Sequence, residues 1–218
     1  MSLSLPDGVA ARVRVGPGHR KARGLSSTDG RVERSRRTRE ALVESFIALV
    51  VALGRAPTVP ELSDRSGRSM RIIFDRFQTL DVLASTAVLQ LLAPPTHEVL
   101  HRVAGMDREG RLAFHLEARR QACERLRPAW PIVVERVRKD TACSAQLGLL
   151  QRVEREQMAA LYAPELRSLG EAERDRRLLA LDVLLGIESW ICLRERHRLH
   201  ADEAVDFWRA GVERILAG

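Results

Sequence analysis

The hydrophobic residues of the chain recur with the period of an α-helix from about residue 36 to the C-terminus. The first apolar stripe has spacings of four, three and four positions and consists of Leu42, Phe46, Leu49 and Leu53. This spacing predicts a helix that ends at Gly54. No stretch within 36–218 sustains the two-residue alternation of a half-buried strand. The expected fold class is therefore all-α.

Three helices are predicted after Gly54, each of which begins behind a residue that can cap a helix N-terminus. These capping residues are Thr58, Ser69 and Thr79. The first of these helices is short, about 59–65, because Gly67 is a typical helix stop. The inward face of the next helix is expected to consist of Met70, Ile73 and Phe77.

The remainder of the chain predicts further helices separated by glycines, prolines and polar residues. They are expected at roughly 96–104, 107–127, 130–139, 144–168, 171–197 and 202–216. Residues 1–35, in contrast, contain Gly, Ser, Pro and Arg without an apolar period, which predicts a disordered basic arm. A solvated tail without a function is the alternative interpretation of this arm.

Positive charge is concentrated in the first part of the chain. The formal net charge is +7, of which residues 1–81 carry +6, from 15 Lys/Arg and 9 Asp/Glu, and residues 82–218 carry +1, from 21 and 20. A basic front and a nearly neutral remainder favour an anionic partner for the front alone. Nucleic acid is the first candidate for that partner.

The sequence does not indicate a secreted, disulfide-rich or membrane protein. Its three cysteines are widely spaced and predict neither a disulfide framework nor a zinc knuckle. The N-terminal residues lack the apolar core of a signal peptide, and the longest apolar run, FIALVVAL, is too short to span a bilayer. We expect a cytoplasmic protein without a cofactor and without a membrane partner.

Two short helices joined at Gly67 match the helix-turn-helix design, in which the second helix enters the DNA major groove. Residues 69–77 would form that reading helix, with its N-terminal amides near phosphates. Arg71 and Arg76 would add charge or donors to base edges. The alternative is a structural helix-turn-helix that no longer binds DNA.

The run RTREALVESFIALVVALGRAPTVPELSDRSGRSMRIIFDRFQTLDVL resembles the N-terminal domain of the tetracycline-repressor (TetR) family of transcriptional regulators. The matching positions are Gly54, Thr58, Val59, Gly67, Ser69, Phe77 and Leu83. The resemblance implies a helix-turn-helix domain at 36–83, followed at 84–218 by a helical domain that binds a ligand and dimerises. It also implies a homodimeric repressor that binds a near-palindromic operator in double-stranded DNA and is released by a small-molecule effector.

The match to this family has departures in the reading helix and around it. Arg68 stands where an apolar residue is usual, Phe74 replaces a tyrosine, and Leu80 replaces a lysine. Without the tyrosine hydroxyl and the lysine ammonium group, two contacts to the DNA backbone that are usual in the family are lost. Arg68 and Arg76 could substitute for these contacts. The expected DNA contacts are Arg36, Thr58, Val59, Arg68, Ser69, Met70, Arg71, Phe74, Asp75 and Arg76.

The resemblance also suggests roles for residues of the second domain. Its last two helices would pair with their copies in a dimer through Leu178, Leu181, Leu185, Val205, Trp208, Val212 and Ile215. Large side chains that could line a ligand cavity are Phe114, Trp130, Met158, Tyr162 and Trp190. Packing inside one subunit is the alternative for each of these residues.

One further motif suggests different chemistry. The segment HEVLH at 97–101 matches the zinc-protease pattern H-E-x-x-H, with His97 and His101 on one helix face and Glu98 as a general base. Asp107 stands at the position of a third ligand, but the glycine that would let the chain turn towards it is at Gly105, one residue late. A zinc-dependent hydrolase therefore remains a remote alternative. We predict no catalytic residues and no metal site, and the sequence does not identify the effector.

Overall fold

The computed structural model describes residues 26–93 and 102–217, and these two ranges contain helices, turns and loops but no strand. The predicted all-α class is therefore confirmed. The chain divides into two compact units, Met1–Thr38 and Arg39–Gly218. None of the helices in the described ranges is long and apolar enough to cross a bilayer.

The helices follow one another along the whole described chain. The first four are α1 (Ser26–Leu53), α2 (Val59–Ser66), α3 (Met70–Phe77) and α4 (Leu80–Leu91). They are followed by α5 (Arg108–Leu126), α6 (Trp130–Lys139), α7 (Thr141–Leu161), α8 (Ala163–Leu166), α9 (Glu171–Leu184), α10 (Ile187–Ile191) and α11 (Ala201–Ala217). A 3-10 turn (Arg127–Ala129) joins α5 to α6, and a π-helical turn (Cys192–Arg196) follows α10.

Helix α1 begins at Ser26, whereas the sequence predicted an irregular arm as far as residue 35. The first turns of α1 contain mainly polar residues, so the sequence shows no apolar stripe that would predict a helix there. They are stabilised instead by side-chain pairs within the helix. Glu33 accepts hydrogen bonds from Arg36 and Arg37, both at 2.8 Å, and these bonds lower its pKa to about 2. Residues 1–25 of the expected arm lie outside the described residues.

Helix α3 is held by two of its eight side chains. Ile73 and Phe77 are buried together with Leu42 and Phe46 of α1 and Leu62 of α2, as the helical periodicity predicted. The Arg39 guanidinium of α1 lies 4.2 Å from the centre of the Phe77 ring, and it donates a 2.6 Å hydrogen bond to the carbonyl oxygen of Arg76. Apolar burial and this arginine therefore fix the orientation of α3.

Two residues expected on the inward stripes are exposed instead. Met70 is 52% exposed because it is the first residue of α3, at the end of the helix that Ile73 and Phe77 do not anchor. Leu53 is 41% exposed at the last position of α1. At each of these helix ends, the apolar stripe predicted from the sequence included one residue too many, because the end of the helix lies outside the core.

The turn between α2 and α3 is built from local hydrogen bonds. Gly67 takes the left-handed conformation at φ 63°, which is typical of a residue that ends a helix. The Ser63 hydroxyl donates to the Arg68 carbonyl oxygen at 2.7 Å, and the Arg68 amide donates to the Ser66 hydroxyl oxygen at 3.3 Å. The backbone of Arg68 is thus fixed while its side chain is exposed. Ser69 is the N-cap residue of α3, but its hydroxyl makes no capping bond.

Helix α4 is tied to two helices that follow it. Arg136 of α6 donates a 2.7 Å hydrogen bond to Asp81 near the start of α4. Near the other end, the Gln146 side-chain amide of α7 donates to the Leu92 carbonyl oxygen at 3.2 Å. Pairing a buried guanidinium with a carboxylate in this way is strongly favoured over leaving it alone. These bonds, together with the buried Leu83 and Val88, fix α4 against α6 and α7.

The two longest predicted helices of the second half are interrupted. The helix expected at 144–168 is divided at Tyr162 into α7 and α8. The one expected at 171–197 ends at Leu184, resumes at Ile187 and ends in the π-helical turn. The backbone between α9 and α10 passes through Gly186, at which an added Cβ would lie 3.1 Å from the Asp182 carbonyl oxygen.

Two glycine-to-alanine substitutions should change stability in opposite directions. Gly67→Ala forces a side chain into a left-handed backbone, which should cost about 1–2 kcal/mol. Gly148→Ala lies in the interior of α7 with no atom within 4 Å of the added Cβ, and should stabilise the fold by up to about 1 kcal/mol. Urea unfolding of both variants measures the difference. Equal effects of the two substitutions would contradict the assignment of Gly67 to the turn.

Candidate nucleic-acid interface and internal cavity

Helix α3 presents a mixed apolar and charged surface to solvent. The exposed α3 face consists of Met70, Arg71, Phe74 and Asp75, which are spaced as i, i+1, i+4 and i+5 along the helix. Phe74 is 43% exposed, and Ile72 at the margin of this face is 36% exposed. The opposite side of α3 carries the buried Ile73 and Phe77. Burial of one side therefore decides which residues α3 can offer to a partner.

Three exposed arginines lie close in sequence to the beginning of α3. They are Arg65 in the last turn of α2, Arg68 in the turn and Arg71 in α3, and all three side chains are exposed. Within the part of the chain that the structure describes, none of the three forms an ion pair. Guanidinium groups without a carboxylate partner are suited to bind phosphate oxygens.

Arg76 differs from those three arginines. Its guanidinium pairs with Asp75 at 2.9 Å, and the side chain is only 34% exposed. Its Nε atom is buried without a hydrogen-bond partner. Arg76 is therefore less available to a partner than Arg71, although the sequence treated the two alike.

The other expected DNA contacts lie in different surroundings. Thr58 and Glu61 form a reciprocal capping box at the start of α2, in which the Thr58 amide donates to the Glu61 carboxylate at 2.7 Å. Val59 is half-buried against the core. Arg36 belongs to the first unit, where it pairs with Glu33. Any contact of these residues with DNA stays a prediction.

A cavity of about 670 Å³, partly open to solvent, lies in the second unit. Its wall is formed by α5, α7, the α9–α10 junction and the end of α4, where Leu91 and Ala93 lie. About half of the other lining side chains are apolar, among them Leu126, Leu147, Leu150 and Ile187, and nearly as many are polar or charged. Burial raises the pKa of the Cys123 thiol, which also lines the cavity, to about 11, so this group remains protonated. A cavity of this size, with both apolar and polar groups in its wall, is suited to a small molecule that carries both kinds of group.

Two of the five residues expected around a ligand, Trp130 and Met158, lie in the wall of this cavity. The other three lie elsewhere. Phe114 packs beneath the Arg102 guanidinium at 5.2 Å, and Trp190 lies in the core with its ring centre 4.5 Å from that of Trp208. Tyr162 is buried behind the wall. Side-chain size, the basis of the sequence prediction, does not distinguish a cavity wall from core.

The cavity wall contains polar groups that the sequence prediction missed. His115 is buried there, and its Nδ1 atom lies 2.9 Å from the Tyr162 hydroxyl oxygen. Burial, and then the nearby Arg119 guanidinium, lowers the pKa of His115 to about 3, so the ring is neutral at pH 7. Burial raises the pKa of Tyr162, so its hydroxyl keeps its proton and can donate it to Nδ1. In that arrangement Nε2–H is the ring donor left for a bound molecule.

Arg119 connects this wall to the end of α9. Its guanidinium donates two hydrogen bonds to the Leu185 carbonyl oxygen, at 2.9 and 3.2 Å, and it pairs with Glu154 of α7. Three helices thus meet at one side chain. No local signal in the sequence marks Arg119, since its partners are 35 and 66 residues away.

The apolar residues expected at a dimer interface lie mostly in the core of the single chain. Those with buried side chains are Leu178, Leu181, Leu185, Trp208 and Val212, while Val205 and Ile215 are half-buried. The helical period was right, but it marks the face on which α9 and α11 pack inside the subunit. Different residues are exposed, at 54%, 68% and 53%: Leu179 and Val183 on α9 and Phe207 on α11.

The possible zinc motif at 97–101 lies outside the described residues. In the ranges that are described, no three His, Cys, Asp or Glu residues lie together in a way that could hold a metal ion. The H-E-x-x-H pattern therefore stays a sequence prediction.

The chain shares its fold with solved bacterial regulators. A transcriptional regulator from Rhodococcus sp. Rha1 superimposes with a TM-score of 0.58 over 83% of this chain and 96% of its own, at 17% identity. A protein from Pseudomonas aeruginosa PAO1, assigned as a transcriptional regulator, superimposes with a TM-score of 0.59 over 89% of this chain and 97% of its own, at 16% identity. No protein-family model and no curated protein matches the sequence. At these identities the likeness establishes the fold and leaves function to be argued from the surfaces above.

The buried His115 should make stability depend on pH. Its pKa of about 3 in the folded protein lies below its ordinary value of 6.5, so the unfolded chain binds a proton more readily. Its contribution to stability is complete above about pH 6.5 and is lost as pH falls towards 3, by up to about 1.4 kcal/mol per pH unit.

Urea unfolding between about pH 7 and pH 5 tests this effect above the range in which carboxylates titrate. We expect His115→Leu to reduce the loss of stability in that range. Tyr162→Phe, which keeps the buried ring, should retain most of it. The same pH slope in His115→Leu and the unaltered protein would show that the imidazole is not the cause.

Proposed function

We propose that the protein is a DNA-binding transcriptional regulator that acts as a homodimer and responds to a small molecule. The observation that carries this proposal is the exposed α3 face beside Arg65, Arg68 and Arg71, none of which forms an ion pair with another described residue. A surface of this kind suits a helix that enters the major groove while arginines around it bind phosphates. The overall fold, shared with two bacterial regulators, supports the same proposal.

The proposed arrangement on DNA follows from the anchoring of α3. Ile73 and Phe77 would hold the helix against α1 and α2, so that Met70, Arg71, Phe74 and Asp75 face the bases. Two copies in a dimer would place their α3 helices one helical turn apart, about 34–36 Å, on a near-palindromic operator. TetR-type repression is the mode of action that we propose, since the segment 36–83 resembles the DNA-binding domain of that family.

The surface that we propose for dimerisation contains Leu179, Phe207 and Val183, of which Val183 also lies at the edge of the cavity. These side chains are more than half exposed on α9 and α11, which pack against each other inside the subunit. Close packing is possible because Gly211 of α11 has no side chain where α9 approaches: an added Cβ would lie 2.6 Å from the Leu184 side chain. Large exposed apolar side chains on neighbouring helices are typical of an interface.

The cavity is the proposed site for the effector, and α4 is the proposed connection to DNA. The beginning of α4 packs against α3, and its end, at Leu91, lies in the cavity wall. Because Arg136 and Gln146 also bind α4, a ligand that changes the packing of α6 or α7 would alter the position of α3. Such a ligand releases DNA only to the extent that it binds the released state more tightly.

A second candidate function is that of a small-molecule-binding protein whose helix-turn-helix has lost DNA binding. The cavity of about 670 Å³ favours it as much as it favours a ligand-responsive regulator. Gel shifts with the DNA upstream of the gene, repeated over a range of salt concentrations, distinguish the two. Binding that falls with salt and exceeds that of random DNA supports the regulator, and absence of binding supports the second candidate.

Substitution of two arginines should separate reading of bases from binding of phosphates. Arg71→Ala on the exposed α3 face should weaken binding to the operator more than to random DNA, by about 1–3 kcal/mol. Arg68→Ala in the turn should weaken binding to both DNAs similarly and reduce the salt slope by about one. Gel shifts at several salt concentrations measure both effects.

Arg152→Ala is the matched control for this comparison, because Arg152 is also exposed and forms no ion pair with the residues that the structure describes. It lies on α7, far along the chain from the α3 face, and should leave both affinities unchanged. Equal losses on operator and random DNA for Arg71→Ala would remove the proposed role in base reading.

Charged substitutions should test the dimer surface. Leu179→Asp combined with Phe207→Asp should give a particle close to the 24.5 kDa mass of one chain in sedimentation equilibrium, because two carboxylates would be buried in the interface. Leu149→Asp on α7, at a residue that is 38% exposed, is the control and should leave the dimer intact. A dimer that persists in the double variant would place the interface elsewhere.

A further inference from the structure

The exposed α3 face has an apolar middle that its proposed role in DNA binding does not by itself explain. Met70 and Phe74 are 52% and 43% exposed, although Ile73 and Phe77 are the two residues of α3 that are buried in the core. We infer that these two side chains read the 5-methyl groups of thymines in the major groove. This inference rests on the proposed function and specifies the base pairs that α3 selects.

The chemistry of the two side chains limits what they can recognise. Phenylalanine has no hydrogen-bonding group, and the methionine thioether is only a weak acceptor. Neither can distinguish bases by the donors and acceptors at their edges. The thymine 5-methyl is the apolar group that the four bases offer in the major groove. A groove filled by Met70 and Phe74 is therefore better matched by thymine than by cytosine at the contacted positions.

The spacing of the two residues restricts the position of the thymines. Residues four apart lie on the same side of a helix and about 6 Å apart along its axis. This separation is close to two base steps of about 3.4 Å each. Each half-site should therefore contain at least two thymines, on either strand, within about two base pairs of each other.

The charges around the two side chains favour DNA over an apolar protein partner. Arg65 at the end of α2, Arg68 in the turn and Arg71 on the face itself are exposed and form no ion pair with other described residues, whereas the carboxylate of this face, Asp75, is paired with Arg76. A protein partner would have to bury these guanidiniums or supply carboxylates for them. A duplex presents phosphates on both sides of the groove and methyl groups at its floor, which matches an apolar centre with arginines beside it.

The first step of the test is to obtain the operator. The full-length protein is used to select duplexes from a random pool, and the bound sequences are determined. Failure to enrich any sequence, together with absence of salt-dependent binding to duplex DNA, would refute the proposed function itself. Enrichment of a half-site that contains no closely spaced thymines would refute the inference while leaving the proposed function intact.

The second step removes the methyl groups alone. Each thymine of the selected operator is replaced in turn by uracil, which keeps every hydrogen-bonding group and lacks only the 5-methyl group. Loss of one well-buried methyl contact should lower the affinity about three- to fivefold. We expect this loss at two or more positions in each half-site. Unchanged affinity at every position would overturn the inference, and this result needs no protein variant.

The third step assigns the methyl groups to side chains. At the thymine that its side chain contacts, each of the variants Phe74→Ala and Met70→Ala should bind the thymine and uracil operators with the same affinity. At the other thymine, each variant should still bind the thymine operator more tightly than the uracil operator. Leu149→Ala, with a similarly exposed apolar residue on α7, should retain every thymine preference. Thermal unfolding checks that the variants are folded. A full thymine preference in both α3 variants would assign the methyl contacts to other residues and overturn the proposal.

Discussion

The burial of Ile73 and Phe77 is the constraint on which the rest of this surface depends. A helix of eight residues makes about two turns, so only one narrow stripe can reach the core. Once that stripe is fixed, and Arg39 has bound both the Phe77 ring and the Arg76 carbonyl oxygen, the remaining side chains have no freedom to exchange faces. The exposure of Met70, Arg71 and Phe74 is a consequence of this anchoring.

Short connections and a few hydrogen bonds also link α3, through α4, to the cavity. The turn that ends at Ser69 and the cap at Thr79 place α3 directly between α2 and α4, without a long loop on either side. Helix α4 then passes from α3 to the cavity wall and is bound on the way by Arg136 and Gln146. We propose that this continuous helix would transmit a change at one of its ends to the other. Such transmission would couple the effector site to DNA.

Local features of the sequence predicted most of the helices and few of the sites. Thr58 and Thr79 were predicted as caps, and the structure confirms their capping bonds, because a cap depends on residues three positions away. The beginning of α1 was missed because Glu33 and its arginines stabilise a helix without an apolar stripe. The residues of the cavity wall were predicted only in part. Trp130 and Met158 lie in the wall, whereas Trp190, which was predicted on the same basis, packs on Trp208.

The sequence alone therefore determined the helical class, the turn at Gly67 and two of the three residues predicted on the inward face of α3, all of which follow from short-range spacing and backbone preference. Only the tertiary structure decided where each apolar face goes. Leu181 and Trp208 turned out to be core, whereas Leu179 and Phe207 on the same helices are exposed. Helical periodicity shows that a face is apolar but does not show what covers it, because that depends on helices distant in the chain. For the same reason, only the tertiary structure shows that His115, Arg119 and Glu154 lie in the same cavity wall.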